Sequence, residues 1–133
     1  MSQSMTDTSM TKALGRFLDV DVARYKLIAI NLANIDTPGY KTRDLDFRSE
    51  LQRAADPDSG LEGAQLVSNS IPHQIPGRQI RGLMERPDGN NVSVERETLL
   101  LAEAQMKYNL GVQLLKDEFH TISLAINSGG TSS

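Results

Sequence analysis

The chain reads as mainly α: long N- and C-terminal helices packed as an antiparallel coiled-coil-like hairpin, joined by a loop-rich middle with a short helix and room for a small β-hairpin. Apolar residues recur every three or four positions at both ends, and proline and glycine interrupt everything between. At 133 residues it is the size of one domain. Within 1–133 the pattern divides into a polar tail (1–8), a first helix (9–35), a turn and loop-rich middle (36–92), a last helix (93–127) and a flexible Gly/Ser tail (128–133).

Ser9 is placed to cap the first helix. Its stripe runs Leu14, Leu18, Val22, Tyr25, Ile28, Ala29, Leu32 and Ile35. Val20, Leu27 and Ile30 lie off that stripe, so the apolar face is broader than one partner helix covers. The stretch Asn31-Leu32-Ala33-Asn34-Ile35-Asp36-Thr37-Pro38-Gly39-Tyr40 closes the helix. Pro38 has no N–H to donate and its ring clashes with the preceding turn. Pro38-Gly39 is the signature of a type II turn, with glycine supplying the positive φ. Asn31 and Asn34 share a face, and their amides either bond the turn backbone or cap the carbonyls that a helix end leaves unpaired.

After the turn, Lys41 to Phe47 suits a strand or an extended arm, and Asp46 is placed to cap a short helix from Phe47 to Ala55. Leu61 to Gln79 has no sustained period; it reads as loop, with one short strand near Ala64 to Val67. A strand over Gln79 to Glu85, the turn Arg86-Pro87-Asp88-Gly89-Asn90, and Val92 and Val94 pairing back would make the hairpin. Ser93 then caps the last helix, with Glu95 and Glu97 suited to the positive end of its dipole and to a solvated face. Its seam steps by four and three through Leu101, Gln105, Tyr108, Val112, Leu115, Phe119, Ile122 and Ile126. Folding the two helices together leaves apolar faces near Val20, Leu27 and Ile30, and near Leu110 and Leu114, open to other molecules.

The composition excludes several classes of function. Net charge is −3 with acids and bases interspersed, so there is no basic stripe for nucleic acid. Cysteine is absent, which removes disulfides, thiol catalysis and cysteine-held zinc. His73 lies in the loop and His120 on the last helix, neither with a second ligand at metal spacing. No phosphate loop, nucleophile elbow or carboxylate pair is present, so no catalysis, metal, cofactor or small-molecule substrate is expected. The start of the chain shows no cleavable signal and no apolar run reaches a membrane span's length.

The string from Asn31 to Tyr40 resembles the Asn-apolar-Ala-Asn-x-x-Thr-Pro-Gly-Tyr signature of bacterial flagellar rod and hook proteins, matching at Asn31, Ala33, Asn34, Thr37, Pro38, Gly39 and Tyr40. Asp88-Gly89-Asn90-Asn91-Val92 followed by Ser-Val-Glu is similar to the proximal-rod type. A second short rod type, which carries Asn-Pro before its last helix, is the alternative within the family; a non-flagellar helical-hairpin binding module is the alternative outside it. The resemblance implies a self-assembling axial subunit needed for motility, with terminal helices lining a tube and the Asn31–Tyr40 segment contacting other subunits. It implies export from the cytoplasm into the periplasmic rod without a cleaved signal. The implied partners are further copies, other flagellar rod proteins, the rod-to-ring adaptor, the inner-membrane ring and the export gate. Some members dock at that gate through an aromatic with an apolar residue four positions on; here Phe17 is followed by Asp21.

Overall fold

A computed structural model describes residues 2–55 and 77–130. Helix α1 (Ser2–Ala33) leads into strand β1 (Arg43–Asp44) and helix α2 (Phe47–Ala55); strand β2 (Arg78–Gln79) precedes helix α3 (Val94–Gly130). The two long helices lie antiparallel: Asn31 meets Glu97, Arg24 meets Glu103, and Phe17 and Leu18 meet Gly111. At 1.5 Å per residue they run roughly 50 Å.

The helices are longer at their free ends than their periodicity predicts. α1 already runs at Ser2, not Ser9, and α3 passes Asn127 to Gly130. Residues 2–8 contain neither glycine nor proline, so nothing breaks the hydrogen-bond ladder toward the N-terminus. At its other end α1 stops at Ala33, two residues short of Ile35. α3 begins just after Ser93, whose Oγ accepts from the Arg96 N–H at 3.2 Å. Asp46 caps α2, accepting from the N–H groups of Arg48 and Ser49 and from the Ser49 hydroxyl.

α1 buries two faces, which changes which residues are left open. Val20, Ala23 and Leu27 pack with Leu45 in the core, joined by Ile30, Phe47 and Leu51. The Phe17 and Phe47 rings meet edge to face at 5.3 Å. The expectation that Val20 and Leu27 remain open is thus corrected: the β1–α2 arm covers them, because Leu45, Phe47 and Leu51 supply an apolar lid. Gly77 passes so near that a Cβ there would lie 3.0 Å from the Leu27 methyl groups.

The seam on α3 is also shifted. Its buried line is Glu97, Ala104 and Gly111, at heptad spacing, flanked by half-buried Leu101, Val112, Leu115 and Ile122. On α1, Leu14, Leu18, Val22 and Leu32 are half-buried. Tyr25, Tyr108, Phe119 and Ile126, expected in the seam, are exposed, Phe119 by 52%. The small residues decide this. A Cβ at Gly111 would sit 2.7 Å from Leu18 Cδ2, so the backbones approach where α3 is thinnest and the larger residues turn to the margins.

The sheet differs from the expected hairpin. β1 pairs with β2, antiparallel, with Arg43 opposite Gln79 and Asp44 opposite Arg78. Val92 and Val94 pair with no strand; Val94 opens α3. The backbone at Ile80, which the expected hairpin would turn toward 92–94, donates instead to Thr42 O at 3.0 Å. The strand expected near Ala64 to Val67, most of the loop at 61–79 and the end of the C-terminal tail lie outside the described residues.

Between the long helices Asp21 is 2% exposed, and its Oδ1 has no hydrogen-bond partner among the described residues. Burial pushes its carboxyl from 3.8 up to about 6, with Glu103 adding to the rise and Lys107 and Arg24 opposing it. The folded chain therefore keeps a proton that the unfolded chain releases, and stability falls as pH rises through that window. Asp21→Asn removes this pH dependence. In thermal melts the variant is expected to exceed the parent at pH 7.5, with the gap closing toward pH 4. Gly111→Val is expected to lower stability by about 1–3 kcal/mol in urea unfolding, because the added carbons overfill the helix contact.

Candidate assembly motif

The two turns that the sequence marks, Asn34–Tyr40 and Arg86–Asn91, lie against each other at the end of the hairpin where α1 stops and α3 starts. Gly39, at φ 75°, forms the corner of the first turn, closed by the Tyr40 N–H donating to Thr37 O at 3.2 Å. Gly89, at φ 84°, turns the second, closed by its own N–H to Arg86 O at 2.8 Å. A Cβ at Gly89 would meet Gly39 Cα at 3.5 Å, so the turns are in backbone contact. The Gly39 N–H donates across to Asp88 O at 2.9 Å, and Lys41 Nζ reaches Gly89 O and the Glu85 carboxylate.

Asn90 is the clasp. It is wholly buried, and its Nδ2 donates toward the carbonyls of Asn34, Ile35 and Thr37 at 2.8–3.1 Å. These carbonyls belong to the turn just past the end of α1, where those of Asn34 and Thr37 also accept the Thr37 and Tyr40 N–H groups. The Arg86 guanidinium also donates to Ile35 O. Asn90 Oδ1 takes the Val92 N–H, and Asn91 accepts from the Thr42 backbone N–H and hydroxyl. Asn34 turns back to donate to Ile30 O and accepts from the Thr37 hydroxyl. Of the alternatives for the two asparagines, Asn34 caps its own helix, while Asn31 bonds groups beyond it.

Asn31 is the second anchor, 1% exposed and fully paired. Its Nδ2 donates to Arg43 O at 2.7 Å and Glu97 Oε2 at 3.1 Å. Its Oδ1 accepts from the Tyr40 hydroxyl at 2.8 Å and the Arg43 N–H at 3.1 Å. Burial raises the Tyr40 pKa, which keeps that hydroxyl a donor. Glu97, expected on a solvated face, is wholly buried, which corrects that expectation. Arg96 holds it at 2.8 Å and reaches Asp44 at 3.1 Å, and Arg24 grips both oxygens of Asp44 at 3.2 Å. Two cations and two anions balance, which is what lets them be buried.

Sequence reasoning named Asn31, Ala33, Asn34, Thr37, Pro38, Gly39 and Tyr40. It missed Arg24, Thr42, Asp44, Asn90, Asn91, Arg96 and Glu97, which complete the network. A signal existed for Asn90 and Asn91 in the Asp-Gly-Asn-Asn-Val string; none marked Glu97, whose place in a first helical turn suits an exposed acid equally well. Ala33, Thr37, Pro38 and Gly39 are exposed, so the motif is locked inside and presents a fixed turn outside. Among the described residues, no group of three His, Asp or Glu side chains could hold a metal, and no helix is long and apolar enough to cross a membrane. His120 is exposed on α3, and His73 lies outside the described residues.

Replacing Asn31 or Asn90 with Ala is expected to lower stability by about 1–3 kcal/mol each, since buried donors and acceptors lose their partners. Thr37→Ala, at an exposed position, is expected to stay within about 0.5 kcal/mol. Urea unfolding measures all three; an Asn90→Ala variant as stable as the parent would contradict the clasp.

No family model matches the chain. It is similar to the flagellar basal body rod protein FlgB of Escherichia coli (strain K12), 31% identical over 122 residues that cover 84% of this chain and 88% of that protein. The namesake of Borrelia hermsii is 32% identical over 84% of this chain and 90% of its own length. That of Salmonella typhimurium is 29% identical over 84% and 88%. With this agreement along nearly the whole helix–turn–helix frame, the chain belongs to the FlgB family of flagellar basal body rod proteins, structural subunits rather than enzymes.

Proposed function

We propose that the chain, as one rod-subunit domain over 1–133, builds the proximal segment of the rod and joins its neighbours through the outer faces of α1 and α3. The observation that carries this reading is the apolar surface along α3: Leu99, Met106, Leu110, Leu114, Phe119, Leu124 and Ile126 are all large, apolar and exposed. Leu99, Met106, Leu110 and Leu114 fall at helical spacing on one side. A monomer in water rarely leaves so long a strip uncovered. Identical subunits that use two different patches on each other form an open helical array. A binding module that docks a single helix would need one groove, whereas exposed apolar residues occur on more than one side of α3: Leu99 to Leu114 on one, Phe119 and Ile126 on the other.

The seam residues Leu14, Leu18, Val22, Leu32, Leu101, Val112, Leu115 and Ile122 hold the two helices together in this reading. Tyr25, Tyr108, Phe119 and Ile126 face neighbours. The exposed Thr37-Pro38-Gly39 turn, stiffened from beneath by Asn31 and Asn90, contacts an adjacent subunit. Other flagellar rod proteins, further copies, the rod-to-ring adaptor, the inner-membrane ring and the export gate are the proposed partners. Export without a cleaved signal into the periplasmic rod is the proposed route.

Leu110→Asp with Leu114→Asp tests the reading. Both positions are exposed, so the purified variant is expected to keep its helical circular dichroism and melting temperature. In cells it is expected to be lost from purified basal bodies and to abolish swimming. Normal swimming with the variant present in basal bodies would end the proposal.

A further inference from the structure

A groove of about 480 Å³ runs between α1 and α3 on the side away from the β1–α2 arm, lined by Asp21, Val22 and Tyr25 from one helix and Ala104, Gln105, Tyr108 and Asn109 from the other. That size is within the range of binding pockets. Its chemistry is one-sided. Asp21 is 2% exposed, and its Oδ1 is the one buried side-chain polar atom without a partner among the described residues. Tyr25 and Tyr108, about half exposed, offer aromatic faces, and Gln105 and Asn109 offer amide oxygens.

The nearby cations are committed elsewhere. Arg24 holds Asp44 with both its Nε and an Nη. Lys107 lies 3.2 Å from Glu103 and 4.1 Å above the Phe47 ring. A carboxylate left dry and unpaired is unfavourable, and it is relieved either by keeping a proton or, once ionised, by a cation from outside the chain.

We propose that this groove receives one lysine or arginine side chain from a helix of an adjacent rod subunit. Val22, Ala104 and the tyrosine rings take the aliphatic stem, and the charged head pairs with the Asp21 carboxylate. An arginine or lysine suits such a slot because its stem is apolar and its head is not. The cation site stands on the groove and the unpaired oxygen alone; that an adjacent subunit fills it rests on the rod reading above.

The test uses the full chain and two small probes, n-butylguanidinium and n-butylammonium, with n-butanol and butyrate as controls, followed by backbone amide NMR shifts. Saturable shifts confined to 21–25 and 104–109 are expected for the two cations only. Affinity is expected to fall as pH drops from 7.5 to 5, because Asp21 must be ionised. The charged and titratable groups that face it are Arg24, Glu103 and Lys107, with Tyr25 and Tyr108 on the groove walls. Asp21→Asn, expected to fold at least as stably as the parent, is expected to bind about tenfold more weakly or not at all. No saturable shift in the parent, equal response to n-butanol, or undiminished binding by Asp21→Asn would overturn the site. In cells, Asp21→Asn is expected to reduce incorporation into basal bodies; normal incorporation and swimming would overturn the subunit as occupant even where the probes bind. Absence of the parent chain from basal bodies would instead remove the rod reading and leave the probe result standing.

Discussion

The four hydrogen bonds of Asn31 tie this structure together. One buried amide links the last turns of α1 to the backbone of β1, to Tyr40 beyond the turn and to Glu97 at the start of α3. A leucine there would fit the apolar period of the helix but would leave the Arg43 backbone and the Glu97 carboxylate unpaired. The direction in which the chain leaves α1 follows from satisfying this one side chain, and its bond to Glu97 suits the rotation of α3 that Ala104 and Gly111 set.

Asn90 does the matching job for the backbone. Past the end of α1 the backbone turns tightly, and a short polar side chain from a distant loop reaches three of its carbonyls at once, two of which also accept N–H groups within the turn. The result is a stiff knot at one end of a long hairpin. At the other end the helices are held mainly by apolar contact around Gly111 and run on past it. Stiffness at one end and exposed apolar length toward the other suit a subunit whose surroundings finish its packing.

Asp21 breaks the rule that the rest of the interior obeys. Around Asp44 and Glu97 every charge is answered, whereas Asp21 lies between the same two helices with an oxygen unpaired. A position that costs stability and could be filled by a neutral residue is where local rules yield to function.

The sequence by itself determined the two long helices, the stop at Pro38, the positive φ at Gly39 and the caps at Asp46 and Ser93, because periodicity, backbone sterics and side-chain-to-backbone bonds act within a few residues. It also carried the Asn31–Tyr40 and Asp88–Val92 strings. Only the tertiary structure decided that these strings clasp each other, that β1 pairs with β2 across the loop instead of within a hairpin, and that Glu97 goes inside while Tyr108, Phe119 and Ile126 stay out. Each of those outcomes depends on a partner far along the chain: beside its neighbour Arg96, the donor that meets Glu97 is Asn31, 66 residues away. An apolar stripe this broad is compatible with several rotations of a helix, and the one adopted is where Ala104 and Gly111 let the backbones come closest.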